Sequence, residues 1–207
     1  MHTLRTSLTA TCLLLLALPL GGQEKKEEKG HEMGGHEMAG ADMAAMMEAY
    51  HKAGMPGEPH AALAAMAGHW TASVKIWMDP DGEPMVSEAT LQSEMVMDGR
   101  FLHDDVKSEF MGQPFRGAGL LGYDNTSGRY QAIWVDNHST TLYSYSGTME
   151  GNTLTMTGKY KDPVTGDWVT SRSVRTLVSP DEMVDTGYEV RDGVERKTME
   201  IVYKRQK

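Results

Sequence analysis

The chain has 207 residues, with 29 acidic against 20 basic side chains, a formal charge of -9 and a single cysteine. That balance argues against nucleic acid and against anionic membrane surfaces as partners, because both recruit cationic faces. The length suits one core-forming domain with additional segments rather than several domains.

Residues 1–22 read as a secretory signal peptide. Arg5 supplies the positive start, Leu8 to Leu20 form an apolar run too short to span a bilayer, and Gly21-Gly22 provide small residues for cleavage. The only cysteine, Cys12, lies inside that run. The expected mature chain therefore has no transmembrane span, no disulfide, no thiolate metal site and no thiol nucleophile. Its expected address is exported, periplasmic or secreted.

Residues 23–58 form a polar leader. Glu24-Lys25-Lys26-Glu27-Glu28-Lys29 has no apolar stripe, and two near-copies follow, Gly30-His31-Glu32-Met33 and Gly35-His36-Glu37-Met38. Such a stretch buries too little apolar surface to order itself, which predicts a flexible tether. A short helix is expected over 42–53, with Asp42 as its N-cap and Met43, Met46, Met47 and Tyr50 at helical spacing. His31, Met33, His36 and Met38 are candidate metal ligands. Imidazole and thioether together favour copper, and imidazole also accepts zinc.

Residues 59–207 form the main domain. An Ala-rich helical run, Pro59 to Ala67, ends at Gly68-His69-Trp70, and from Trp70 to Tyr203 strands alternate with turns. Turn signals recur at Asp79-Pro80-Asp81-Gly82, Asp98-Gly99, Gly112-Gln113-Pro114, Asp124 to Gly128, Asp136-Asn137, Gly151-Asn152, Asp162 to Gly166, Ser179-Pro180-Asp181 and Asp192-Gly193. They predict about ten strands, with two-residue hairpin loops at Asp98-Gly99 and Asp192-Gly193. Trp70, Ala72, Val74 and Ile76 share one face of the first strand; Met199, Ile201 and Tyr203 share one face of the last. A sheet of ten such strands leaves two long edges unless it closes. The fold class read here is all-β: an antiparallel up-and-down closed barrel of about ten strands, with a short helix before strand 1. Segments 70–77 and 197–204 pair to close it. Gly68 and Trp70 are the barrel-closing residues, a bend and a plug. Gly117, Gly119 and Gly122 mark a sharp bend or a close backbone approach.

A barrel of ten strands is wide enough to hold a small molecule. Trp134, Tyr143 and Tyr145 combine aromatic bodies with polar tips, as ligand cavities do, and Arg172 joins them if its strand turns it inward. A small, largely apolar molecule is the expected partner. An inward arginine near the closed end would stack on Trp70. The isolated His69, His103 and His138 read as surface residues. Ser127 lies in no nucleophile elbow, and Asp104 and Asp105 are adjacent, so a strand points them to opposite faces. The leading expectation is thus a ligand-binding barrel. The alternatives are a copper- or zinc-binding protein using the leader, and a barrel enzyme acting on a hydrophobic substrate.

Several stretches also carry a family resemblance. They are Gly57-Glu58-Pro59-His60, Gly68-His69-Trp70, Trp77 to Pro84, Asp98 to Leu102, Met111 to Gly119, Gly122-Tyr123-Asp124, Trp134-Val135-Asp136 and Lys197 to Ile201. As a set, over about residues 43–205, they resemble an exported bacterial family known as domain of unknown function 1579. The resemblance implies a lipocalin-like (calycin) barrel and no particular activity. The His/Met repeats at 31–38 lie outside it.

Overall fold

Two helices lead into the strands of the computed structural model, which describes residues 40–207. The expected signal peptide at 1–22, most of the leader and the candidate metal ligands His31, Met33, His36 and Met38 lie outside the described residues. Helix α1 (Gly40–Gly54) covers the helix expected at 42–53. Helix α2 (Glu58–Ala64) starts where Pro59 fixes a helical φ in the first turn. Its start is tied by His60, whose Nδ1 accepts the Gly57 N–H at 3.0 Å. Arg100 Nε donates to Gly54 O at 2.9 Å, and Asn125 Nδ2 donates to Ala53 O and Met55 O. These bonds bind the link between the helices to two loops at one end of the sheet.

Ten strands follow: β1 (Gly68–Ile76), β2 (Met85–Val96), β3 (Phe101–Phe110), β4 (Gln113–Asp124), β5 (Arg129–Asp136), β6 (Tyr143–Glu150), β7 (Thr153–Lys161), β8 (Trp168–Ser179), β9 (Glu182–Arg191) and β10 (Val194–Arg205). Each pairs antiparallel with its neighbours in sequence, and β1 closes on β10, so the sheet is a barrel without a free edge. Trp70 lies opposite Arg205, Ala72 opposite Tyr203 and Val74 opposite Ile201. In β1, Trp70, Ala72 and Val74 are buried while Thr71 and Ser73 are exposed. The alternation thus separates an apolar interior from a polar outside. No helix among the described residues is long and apolar enough to cross a membrane.

One turn departs from expectation. Asp192-Gly193 is a two-residue loop with both φ angles positive, 52° and 77°, the geometry that matches strand twist. At Asp98-Gly99, Val96 pairs with Phe101, so the loop has four residues, Met97 to Arg100. Met97 also takes a positive φ, and Arg100 Nη1 caps the turn on Met97 O. The extra residues let Arg100 reach the helix link.

The closed end is sealed by Trp70, fully buried among Leu63, Met66, Leu91, Leu102 and Met183. Trp70 Nε1 donates to Met66 O at 3.1 Å. Over its ring lies the guanidinium of Arg205, 4.0 Å from the centroid. Arg205 also donates to Ala65 O, Ala67 O and Pro180 O at 3.0, 2.5 and 2.6 Å. It thereby satisfies carbonyls at the C-terminus of α2 that the helix leaves open. Gly68, with φ 143°, passes so close that a Cβ there would meet the Arg205 guanidinium. Both the conformation and the space require glycine.

Candidate functional site

Above this floor the barrel encloses a cavity of about 710 Å³. It opens at the other end, where Met78 of the β1–β2 loop, Asp136 at the end of β5 and Val164 of the β7–β8 loop line it. Val74, Ala89, Val106, Leu121, Leu154 and Ile201 give its wall an apolar surface, interrupted by Arg175 and Asp185, which lie in register between Leu154 and Ile201. The apolar residues take the inward positions of six strands, as the period of two requires.

Toward the mouth, one wall is aromatic. Trp134 on β5 lies beside Gly119 on β4 and Tyr143 on β6, and the Tyr143 ring stands edge-on to Tyr160 at 5.4 Å. Trp134 lies flat against β4 because Gly117 and Gly119 present no side chains there; a Cβ on Gly117 would sit 2.5 Å from Trp134 Cη2. The close approach anticipated at Gly117 and Gly119 is thus the seat of an aromatic ring. Trp134 Nε1 donates to Asp136 Oδ2 at 3.1 Å. The Tyr160 hydroxyl donates to Glu189 Oε1 at 2.6 Å. Burial, reinforced by that carboxylate, raises the Tyr160 pKa. Arg191 closes the group, donating to Asp162 Oδ2 at 2.5 Å and to Glu189 Oε2 at 2.8 Å. Its hydrogen bond holds Asp162 below the ordinary carboxylate range.

Deeper in, an ion cluster crosses the lumen. Arg175 on β8 donates from Nη1 to Asp104 Oδ2 on β3 at 3.0 Å and from Nε to Asp185 Oδ2 on β9 at 3.2 Å. Ser93 Oγ donates to Asp104 at 2.5 Å and Ser173 Oγ to Asp185 at 2.8 Å. Burial opposes the Arg175 charge, and the two carboxylates more than restore it, so its pKa is raised. Buried charges are held this way only where partners satisfy them. Tyr203 lies in the same layer. Burial raises its hydroxyl pKa, against the opposing charge of Arg175 and with Asp185 and Asp104 adding to the rise.

The sequence-derived residues distribute unevenly. Trp134, Tyr143 and Tyr145 all line the cavity, and Gly68 and Trp70 stand at the closed end. Arg172 does not join them. Ser171, Ser173 and Arg175 take the inward positions of β8, which turns Arg172 to the outer face. There it forms a two-pronged pair with Glu195, both contacts 2.7 Å, and stacks over Tyr188. The interior arginine is Arg175, and the arginine stacked on Trp70 is Arg205. Neither was singled out from sequence. Asp104 and Asp105 do point to opposite faces, and the inward one belongs to the ion cluster. His69 and His138 are exposed, and His103 is half-buried, 4.0 Å from Glu94.

One solved structure shares this architecture at low sequence identity, and two others superpose less well. Rv2717c from M. tuberculosis superposes with a TM-score of 0.51 at 15% identity, over 73% of this chain and 100% of that one. The S-type phycobiliprotein lyase CPES from Guillardia theta gives a TM-score of 0.49 at 10% identity, over 73% and 94%. A redesigned β-barrel gives 0.41 at 14%, over 70% and 96%. Identities this low speak to the fold alone. No curated protein matches the sequence. The family model described as "Protein of unknown function (DUF1579)" matches residues 55–205, most of the chain including every strand, and this protein belongs to that family.

Proposed function

We propose that this protein is an exported barrel that binds a small, largely apolar molecule in its interior. The observation that carries the reading is the cavity: about 710 Å³, plugged at one end by Trp70 and open at the other. Sites for small molecules have volumes of roughly 300–1,000 Å³, mostly apolar walls and a few placed polar groups. The aromatic row and the Asp104–Arg175–Asp185 cluster supply those two elements. The rim supports the same reading. Large apolar side chains, among them Met78, Met111, Leu142, Val164 and Trp168, stand exposed on the loops and strand ends around the mouth, where an apolar ligand passes between solvent and lumen.

Native mass spectrometry of the full chain, purified gently from the cells that make it, tests the binding. An adduct of organic mass that Trp134→Ala weakens is the expected result. No adduct from cell extract, together with no shift in tryptophan emission across a panel of apolar ligands, overturns the reading. Export rests on the character of residues 1–22 and is tested by cell fractionation, where retention in the cytoplasm with an intact N-terminus refutes it.

A further inference from the structure

The cavity's charge is unbalanced. Asp104, Glu109, Asp136, Asp162, Asp185 and Glu189 line it, against the guanidiniums of Arg175 and Arg191. Both arginines are already engaged, Arg175 by Asp104 and Asp185, Arg191 by Asp162 and Glu189. Asp136 is half-buried. It accepts only the Trp134 indole N–H and the His138 backbone N–H, and no cation pairs with it among the described residues. Each arginine thus leaves one carboxylate charge over, and Asp136 adds its own, while Glu109 stands exposed at the rim.

Tyr203 offers a second polar contact inside the cavity. It is only 4% exposed and lines the cavity beside the ion cluster. Its hydroxyl makes no hydrogen bond among the described residues, where no sealed side-chain nitrogen or oxygen lacks one. The hydroxyl is therefore open to the lumen, and its oxygen is free to accept an N–H from whatever fills it.

We propose that the ligand is an amphiphilic organic cation, an apolar body carrying an ammonium group. This rests on the cavity reading above and specifies its ligand. Walled on all sides by protein, the surplus carboxylates are screened less than on an open surface and favour a positive charge more strongly there. The faces of Trp134, Tyr143 and Tyr160, flanked by Asp136 and Glu189, form a wall suited to a cation. A fatty-acid carboxylate meets like charges there and finds both arginines occupied. A neutral alcohol leaves the surplus uncompensated.

The test is calorimetric titration of the full chain with dodecylamine, 1-dodecanol and dodecanoate, which share one apolar tail. At neutral pH the amine is charged, since alkyl ammonium groups titrate near about 10. The amine is expected to bind about tenfold tighter than the alcohol, with dodecanoate weakest. Asp136→Asn retains an acceptor for the Trp134 N–H and is expected to cut the amine-to-alcohol ratio about three- to tenfold. Glu189→Gln is the second variant should the first fail to fold. Alcohol or dodecanoate binding as tightly as the amine overturns the charge assignment while sparing the cavity. A ratio unmoved by either variant does the same. Failure of all three probes to bind overturns both.

Discussion

Replacing Gly117 with alanine puts a methyl group where the Trp134 ring lies. The new Cβ would stand 2.5 Å from Cη2 and closer still to Cζ2, whereas ordinary contact begins at 3.4 Å. The ring must therefore retreat by about 1 Å, and the only free direction is into the cavity. Overpacking of this kind costs about 1–3 kcal/mol. The 3.1 Å bond from Trp134 to Asp136 stretches with the ring, adding up to about 1 kcal/mol. A total near 2.5 kcal/mol lowers the melting temperature of a domain this size by about 5–10 °C. In a Trp134→Phe background the two offending carbons are absent. There the same alanine costs nothing or stabilises slightly, because it narrows the unfolded ensemble. Urea unfolding of the four proteins in a double-mutant cycle measures the difference, expected to be about 2 kcal/mol of coupling. An equal cost of Gly117→Ala in both backgrounds refutes the claim that this glycine exists to seat the indole.

Three further outcomes follow from other parts of the molecule. Arg205→Ala removes the stack on Trp70 and three carbonyl bonds, for a loss of about 2–3 kcal/mol by differential scanning calorimetry. Arg205→Lys recovers less than half of it, because lysine lacks the planar fork; full recovery would show that charge alone matters. Arg175→Ala strands Asp104 and Asp185 and costs about 3–5 kcal/mol in urea, and adding Asp104→Asn and Asp185→Asn returns most of it. If that triple variant is no more stable than the single one, the cluster is not held by charge pairing. Asp162, Glu195 and Glu200 are held below the ordinary carboxylate range by hydrogen bonds from Arg191, Arg172 and Lys197 respectively. Unfolded, they titrate near about 4, so their stabilisation is complete above that pH and drains away as pH falls through their lower folded values. The urea midpoint should hold from neutral to about pH 5 and decline below about 4; a midpoint that rises on acidification contradicts these pairings.

What the sequence revealed depended on how cleanly each strand alternates. β1 reads Trp70, Ala72, Val74 against Thr71, Ser73, Lys75, and its inward face is evident from that alternation alone. The closure of the first strand on the last followed from the need to remove edges; of the aromatic wall, Trp134 and Tyr143 stood out in sequence as aromatic residues of the middle strands, while Tyr160 did not. β8 is different. It runs Thr170, Ser171, Arg172, Ser173, Val174, Arg175, with polar residues on both faces, so hydrophobicity does not fix its parity. Its pairing with β7 and β9 decides instead, placing Ser173 opposite Met156 and Gly187 and sending Arg175 inward. Arg205 was hidden for another reason. Beside Lys204 and Gln206 it has the look of a solvated tail, and only the return of β10 to β1 brings it over Trp70. Asp104 and Asp185 are separated by most of the barrel's length in sequence, so no local pattern could announce their shared arginine.

Every neighbouring pair in the ring is also adjacent in the chain except β1 and β10. At that seam Thr71 meets Lys204, 133 residues away. The local hairpins can form early, while the seam must wait for the longest loop to close. Until it does, the unfinished ring presents two bare strand edges, and two such rings can pair with each other as readily as each can close on itself. Refolding yield should therefore fall as protein concentration rises, even where the finished barrel is stable. The Arg205–Trp70 stack sits on this last seam. Its loss should quicken unfolding and leave the folding rate almost unchanged, as contacts made after the transition state do.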